Sequence, residues 1–104
     1  MKFNVNQQDL QQALSYCQGV IEKRSTLPIL SNVLLDAKNA HLTITATDLD
    51  LIFLHKIKNI EVIEEGKTTT TSSIMYDIVR KFSSGKKINL SLSDTSKLQL
   101  ESEK

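Results

Sequence analysis

The stretch MKFNVNQQDLQQALSYCQGVI, Met1 to Ile21, changes its hydrophobic period partway along, and that change decides the fold class. Met1, Phe3 and Val5 alternate with Lys2 and Asn4, the pattern of a short strand with one buried face. From Leu10 the apolar residues fall at helical spacing instead: Leu10, Ala13, Leu14, Cys17, Val20 and Ile21 make one stripe. Asn6 stands where a helix cap is needed. Asp9 follows in the first turn, where a carboxylate suits the helix dipole. The opposite face, Gln8, Gln11, Gln12, Ser15 and Gln18, is polar and almost uncharged. A strand runs directly into a helix.

Downstream the period returns to two. Ile29 to Leu35 reads as a strand interrupted by Ser31 and Asn32, Asp36 to Ala40 as a turn, and Leu42, Ile44 and Ala46 alternate with polar neighbours. Thr47-Asp48-Leu49-Asp50 is a turn into Leu51 to Ile57, a segment apolar on both faces and therefore expected to be covered on both. Ile60, Val62 and Ile63 open another extended stretch, broken at Glu64-Glu65-Gly66 and resumed from Lys67 to Thr71. Ser72 or Ser73 is then expected to cap a second helix. Its apolar positions are Ile74, Met75, Ile78, Val79 and Phe82, with Tyr76, Asp77, Arg80 and Lys81 largely off the stripe, and Ser83-Ser84-Gly85 as its stop. Ile88, Leu90 and Leu92, the turn Asp94-Thr95-Ser96, and Leu98 and Leu100 complete two further strands.

The order is strand, helix, three strands, then strand, helix, two strands. The second unit is one strand short of the first, and the repeat is one of pattern only. It predicts an α+β domain with two helices packed on one face of a mostly antiparallel sheet. Lys97 to Glu101 is then expected to be an uncovered sheet edge, so the chain looks cut at its end.

Bulk properties narrow the function. The chain has 104 residues, enough for one domain and one core, and 13 Lys plus Arg against 12 Asp plus Glu leave a net charge of +1. Attraction to nucleic acid must then come from local charge placement. No apolar run approaches the ~20 residues needed to span a bilayer, and Met1-Lys2-Phe3-Asn4-Val5 lacks a signal-peptide core. The single cysteine, Cys17, has no internal disulfide partner, which fits the reducing cytosol. It lies in the apolar stripe with no basic neighbour, a core position and not a nucleophile.

Gly66-Lys67-Thr68 resembles the end of a phosphate-binding loop, but Glu61 occupies the position of the first glycine. Ser83 and Lys86 have a Ser-x-x-Lys spacing but follow a helix where such a motif would open one. Asp48 and Asp50 suit a capped turn better than acid–base work. His41 and His55 have no carboxylate or cysteine at metal-ligand spacing. No catalytic constellation, metal site or cofactor site is expected.

One run remains, Arg24-Ser25-Thr26-Leu27-Pro28-Ile29-Leu30-Ser31-Asn32, which sets an arginine against a rigid, proline-started strand. An arginine so placed is a common way to meet a phosphate. Together with Met1-Lys2-Phe3, Thr45-Ala46-Thr47-Asp48-Leu49 and Gly66-Lys67-Thr68-Thr69, this run resembles the N-terminal domain of bacterial sliding clamps, the beta subunit of DNA polymerase III. The resemblance covers essentially the whole chain. The Arg-x-Thr-Leu-Pro-Ile-Leu-x-Asn block is its specific part.

That resemblance implies a fold and a task. Family members have three similar domains per chain, each built from two strand–helix–strand–strand–strand units, and two chains close into a ring around double-stranded DNA. Helices line the hole, and the ring holds the polymerase to its template without catalysing a reaction. Residues 1–104 are then a first domain lacking its last strand. The second and third domains, with the pocket for DNA polymerase III and the clamp loader, are absent. By the same resemblance Arg24 is the DNA-contacting arginine. Ser73 occupies a second DNA contact that is usually basic, and Ile74 and Ile78 match the edge that meets the other subunit of the homodimer. Alone, the chain is expected not to close a ring and to bind DNA weakly. A small α+β enzyme with its site at an oligomer interface and a free-standing interaction module are the other two classes the pattern admits. A rise in melting temperature with nucleotides or metals would point to the first, and an open reading frame ending at Lys104 to the second.

Overall fold

A computed structural model describes residues 1–24, 32–47, 52–93 and 97–102, with the backbone alone at 18–24 and 47. The switch of period seen in the first stretch is where strand β1 (Lys2–Asn6) gives way to helix α1 (Gln7–Arg24). Phe3 and Val5 are buried from β1, and Leu10, Ala13, Leu14 and Cys17 from α1. Positions Gln18, Val20 and Ile21 of the two faces lie outside the described side chains.

Strands β2 (Asn32–Lys38), β3 (His41–Thr47) and β4 (Ile52–Lys58) follow, then β5 (Glu61–Glu64), β6 (Gly66–Thr71), helix α2 (Ser72–Val79), β7 (Lys87–Leu92) and β8 (Leu98–Ser102). The α+β expectation holds. The strands divide into two four-stranded sheets, ordered β5-β1-β7-β8 and β4-β3-β2-β6, with antiparallel pairing throughout. The repeat is visible in this order. β6-α2-β7-β8 follows the plan of β1-α1-β2-β3, but each unit lends its first strand to the other unit's sheet. Among the described residues, no strand takes beside β8 the place that β4 takes beside β3.

Inward residues of both sheets meet the two helices in one core, which includes Leu35, Leu42, Ile44, Val79, Ile88 and Leu90. Gly66 faces Ala37 on the inner side, where an added Cβ would stand 2.9 Å from Met1 Cβ. Glycine there lets Met1 reach the core.

Several local expectations are corrected. The expected strand Ile29 to Leu35 begins, among described residues, at Asn32 and runs on through Asp36 to Lys38. The turn is only Asn39 and Ala40, with φ 53° and 63°, a two-residue hairpin that matches strand twist. Leu51 to Ile57 is not covered on both faces. β4 is an edge strand, and Ile52 (67%) and Leu54 (62%) are exposed on its outer side. Neither Ser72 nor Ser73 caps α2. Thr71 holds the cap position without a side-chain cap bond, and Ser72 is the first helical residue. The helix ends at Val79, short of the expected Ser83-Ser84-Gly85 stop, because Lys81 N–H and Phe82 N–H turn back to the carbonyls of Ile78 (3.2 Å) and Val79 (3.1 Å). Gly85, at φ 83°, then redirects the chain towards β7. The turns at 48–50 and 94–96 lie outside the described residues.

Candidate nucleic-acid interface

Gln7 anchors the start of α1 to the turn before β7 and to the end of α2, which helps to fix which faces are left open. Gln7 N–H donates to the Lys86 carbonyl (2.9 Å), so one otherwise unpaired group at the start of α1 is satisfied by the turn before β7. The Gln7 side chain is buried, and its Nε2 donates to the Val79 carbonyl (2.9 Å) at the end of α2 and to Gln11 Oε1 (2.8 Å). The sequence offered no sign of this buried glutamine beyond its place at a strand-to-helix junction.

With the apolar stripe of α1 turned inward, Gln8, Gln12, Ser15 and Tyr16 are exposed and Gln11 is half-buried. These five residues and Tyr76 of α2 line a shallow groove between the helices. Gln12 Nε2 donates to the Tyr16 hydroxyl oxygen (3.0 Å), and Gln8 Nε2 to Ser84 Oγ (3.2 Å). The Tyr16 ring leans on His55 of β4, centroids 5.5 Å apart and planes at 56°. Tyr76, expected off the stripe, is half-buried and packs on the core. No formal charge lines the groove. Amides and hydroxyls donate and accept hydrogen bonds without the strong field of an ion.

Charge gathers at the groove's end. Arg80 pairs with Asp77 (Nε to Oδ1, 3.3 Å) on exposed side chains, which leaves little net field there. Lys81 and Lys86 are exposed in the turn between α2 and β7. Among the expected site residues, Arg24 is the last residue of α1, and its side chain lies outside the described set, as do positions 25–31 of its run. Ser73 is exposed in the first turn of α2. Ile74 (60%) and Ile78 (41%) are exposed one helical turn apart, so the α2 core contact rests on Met75 and Val79 instead. Cys17 is buried, and burial pushes its thiol up to about 11, as the core reading requires.

Residues 1–104 match the family model described as DNA polymerase III beta subunit, N-terminal domain. The chain belongs to this beta-subunit family. The beta sliding clamp of Caulobacter vibrioides is 39% identical over 94 residues, and that of Escherichia coli K12 34% identical over 92. These alignments cover 89% and 88% of the chain and 25% of each relative, so the chain spans about a quarter of the relatives' length. A crystal structure of the DNA polymerase sliding clamp from Caulobacter crescentus superposes with a TM-score of 0.87 at 35% identity, covering 100% of this chain and 28% of that one. A Bartonella birtlesii sliding clamp bound to griselimycin gives 0.86 at 37%, covering 98% and 27%. Two helices backed by two antiparallel sheets are thus the beta-subunit domain fold in this chain.

Proposed function

We propose that this chain is the first domain, without its last strand, of a sliding clamp that encircles double-stranded DNA in replication. The family match over residues 1–104 carries this reading. In it, second and third domains complete the protein, and two such subunits close the ring in the cytoplasm. Those further domains engage DNA polymerase III and the clamp loader, and the clamp confers processivity without catalysing a reaction.

The groove suits the task. A protein that slides needs contacts blind to sequence and weak enough to break at every step; attraction to the phosphate backbone is sequence-independent, and a small number of such contacts keeps it weak. The neutral amide and hydroxyl lining of the α1–α2 groove meets this requirement, with Lys81 and Lys86 adding a mild positive field at its end. Arg24 supplies the directed phosphate contact. Ser73 offers a hydroxyl where relatives commonly have a cation. Ile74 and Ile78 pack against the other subunit.

The test is Arg24→Ala in the ring-forming protein. Affinity for duplex DNA is expected to fall several-fold, with the salt slope reduced by about one and the melting temperature unchanged. Equal affinity at low salt removes Arg24 from the interface. Failure of the ring-forming protein to stay on nicked circular DNA removes the clamp reading as a whole.

A further inference from the structure

The outer face of the β4-β3-β2-β6 sheet carries a charge pattern that encircling DNA does not use. Cross-strand register aligns its residues in rows. Lys56, Thr43, Asp36 and Lys67 form one row across the four strands, and Lys58, His41 and Lys38 form the next. All four lysines are exposed, and none makes an ion pair with another described residue. Strands ~4.8 Å apart and same-face residues ~6.8 Å apart put the Cα atoms of these lysines within a span of about 16 Å. Two carboxylates lie among them, and one, Glu65, is engaged by the Asn39 N–H (2.9 Å). A lysine on an edge strand deters pairing, which accounts for Lys56, Lys58 and Lys67. It does not account for Lys38, which lies on the interior strand β2.

The same face is apolar at its other end. Leu54 is exposed in the row above Lys56, beside Thr45 and the half-buried Leu34, and Ile52 is exposed beyond it. A partner complementary to the whole face needs acidic groups at one end and apolar side chains at the other. A nucleic-acid backbone has no counterpart for Ile52 and Leu54, and no Phe, Tyr or Trp stands in these rows for a base to stack on.

We propose that this outer sheet face docks an acidic segment of a partner protein, with carboxylates over the lysine rows and apolar side chains against Leu54 and Ile52. The match of charge and apolar surface is that of a surface-bound extended segment.

A fluorescently labelled peptide in which two leucines precede a run of glutamates is the probe, titrated against the 104-residue chain by anisotropy. It should bind, and bind more weakly as salt rises. Lys56→Glu/Lys58→Glu should weaken it by roughly tenfold or more, with an unchanged melting curve showing that the variant is folded. Asp36→Asn removes a carboxylate from between the lysines and should tighten binding, a gain that misfolding cannot imitate. Peptide affinity unchanged in both variants overturns the proposal. So does a duplex DNA probe that binds more tightly than the peptide and is lost in the Lys56→Glu/Lys58→Glu variant, which would assign the face to nucleic acid.

Discussion

Ala40 holds φ at 63° in the β2–β3 turn, in the left-handed region where a side chain crowds the following carbonyl. That conformation costs an alanine roughly 1–2 kcal/mol. Glycine avoids the cost but loses about 0.5–1 kcal/mol more in backbone entropy on folding. The balance favours glycine. Ala40→Gly is expected to stabilise the chain by up to ~1 kcal/mol and raise its Tm by a few degrees. The Ile60 N–H bond to the residue 40 carbonyl (3.1 Å) should remain. A lower Tm in a thermal melt would show that the turn relaxes without strain. Of the site residues, the exposed glutamines of α1 were legible from spacing alone, because a helix that buries Leu10, Leu14 and Cys17 must turn Gln8, Gln12 and Ser15 outward. Tyr16 against His55 was not legible, since nothing local in the sequence brings α1 and β4 together.

Helix α2 shows how one element divides a uniform apolar stripe. Ile74, Met75, Ile78 and Val79 have equivalent helical spacing, yet Met75 and Val79 are buried while Ile74 and Ile78 face outward. Removing methyl groups should separate the two pairs. Val79→Ala opens space in a close-packed core and is expected to cost about 1–3 kcal/mol. Ile74→Ser/Ile78→Ser changes solvated surface and should shift stability by no more than ~0.5 kcal/mol per site. If the exposed pair forms the subunit contact, the same double variant should weaken dimerisation of the ring-forming protein in sedimentation, without a loss of folding. A large drop in melting temperature for Ile74→Ser/Ile78→Ser would instead place these residues in the core. Strand β4 follows the same rule: its apolar outer side, Ile52 and Leu54, is exposed because, among the described residues, no layer packs on that face of the sheet. A segment's composition does not say whether it has a neighbour on each side.

At the scale of the molecule, the decisive feature is the exchange of first strands. β1 pairs with β5 and β7, and β6 pairs with β2, so neither strand–helix unit completes a sheet by itself. Denaturant unfolding followed by far-ultraviolet dichroism and by tyrosine fluorescence is therefore expected to give coincident, single transitions. Hydrogen exchange that releases one sheet well before the other would contradict that coupling. Periodicity alone determined which residues of β1, β3, β7 and α1 face a core, because an alternating strand and a striped helix each have only one way to hide their apolar side. It also determined the neutral face of α1 and most of the order of the elements, although the single interrupted stretch expected from Ile60 to Thr71 is two strands, β5 and β6, in different sheets. Tertiary structure decided the division into two sheets, the edge position of β4, the exposure of Ile74 and Ile78, and the lysine rows on the outer face. Each of these depends on which strands lie side by side, and that pairing is chosen by the whole chain minimising its exposed apolar surface, not by any segment within it.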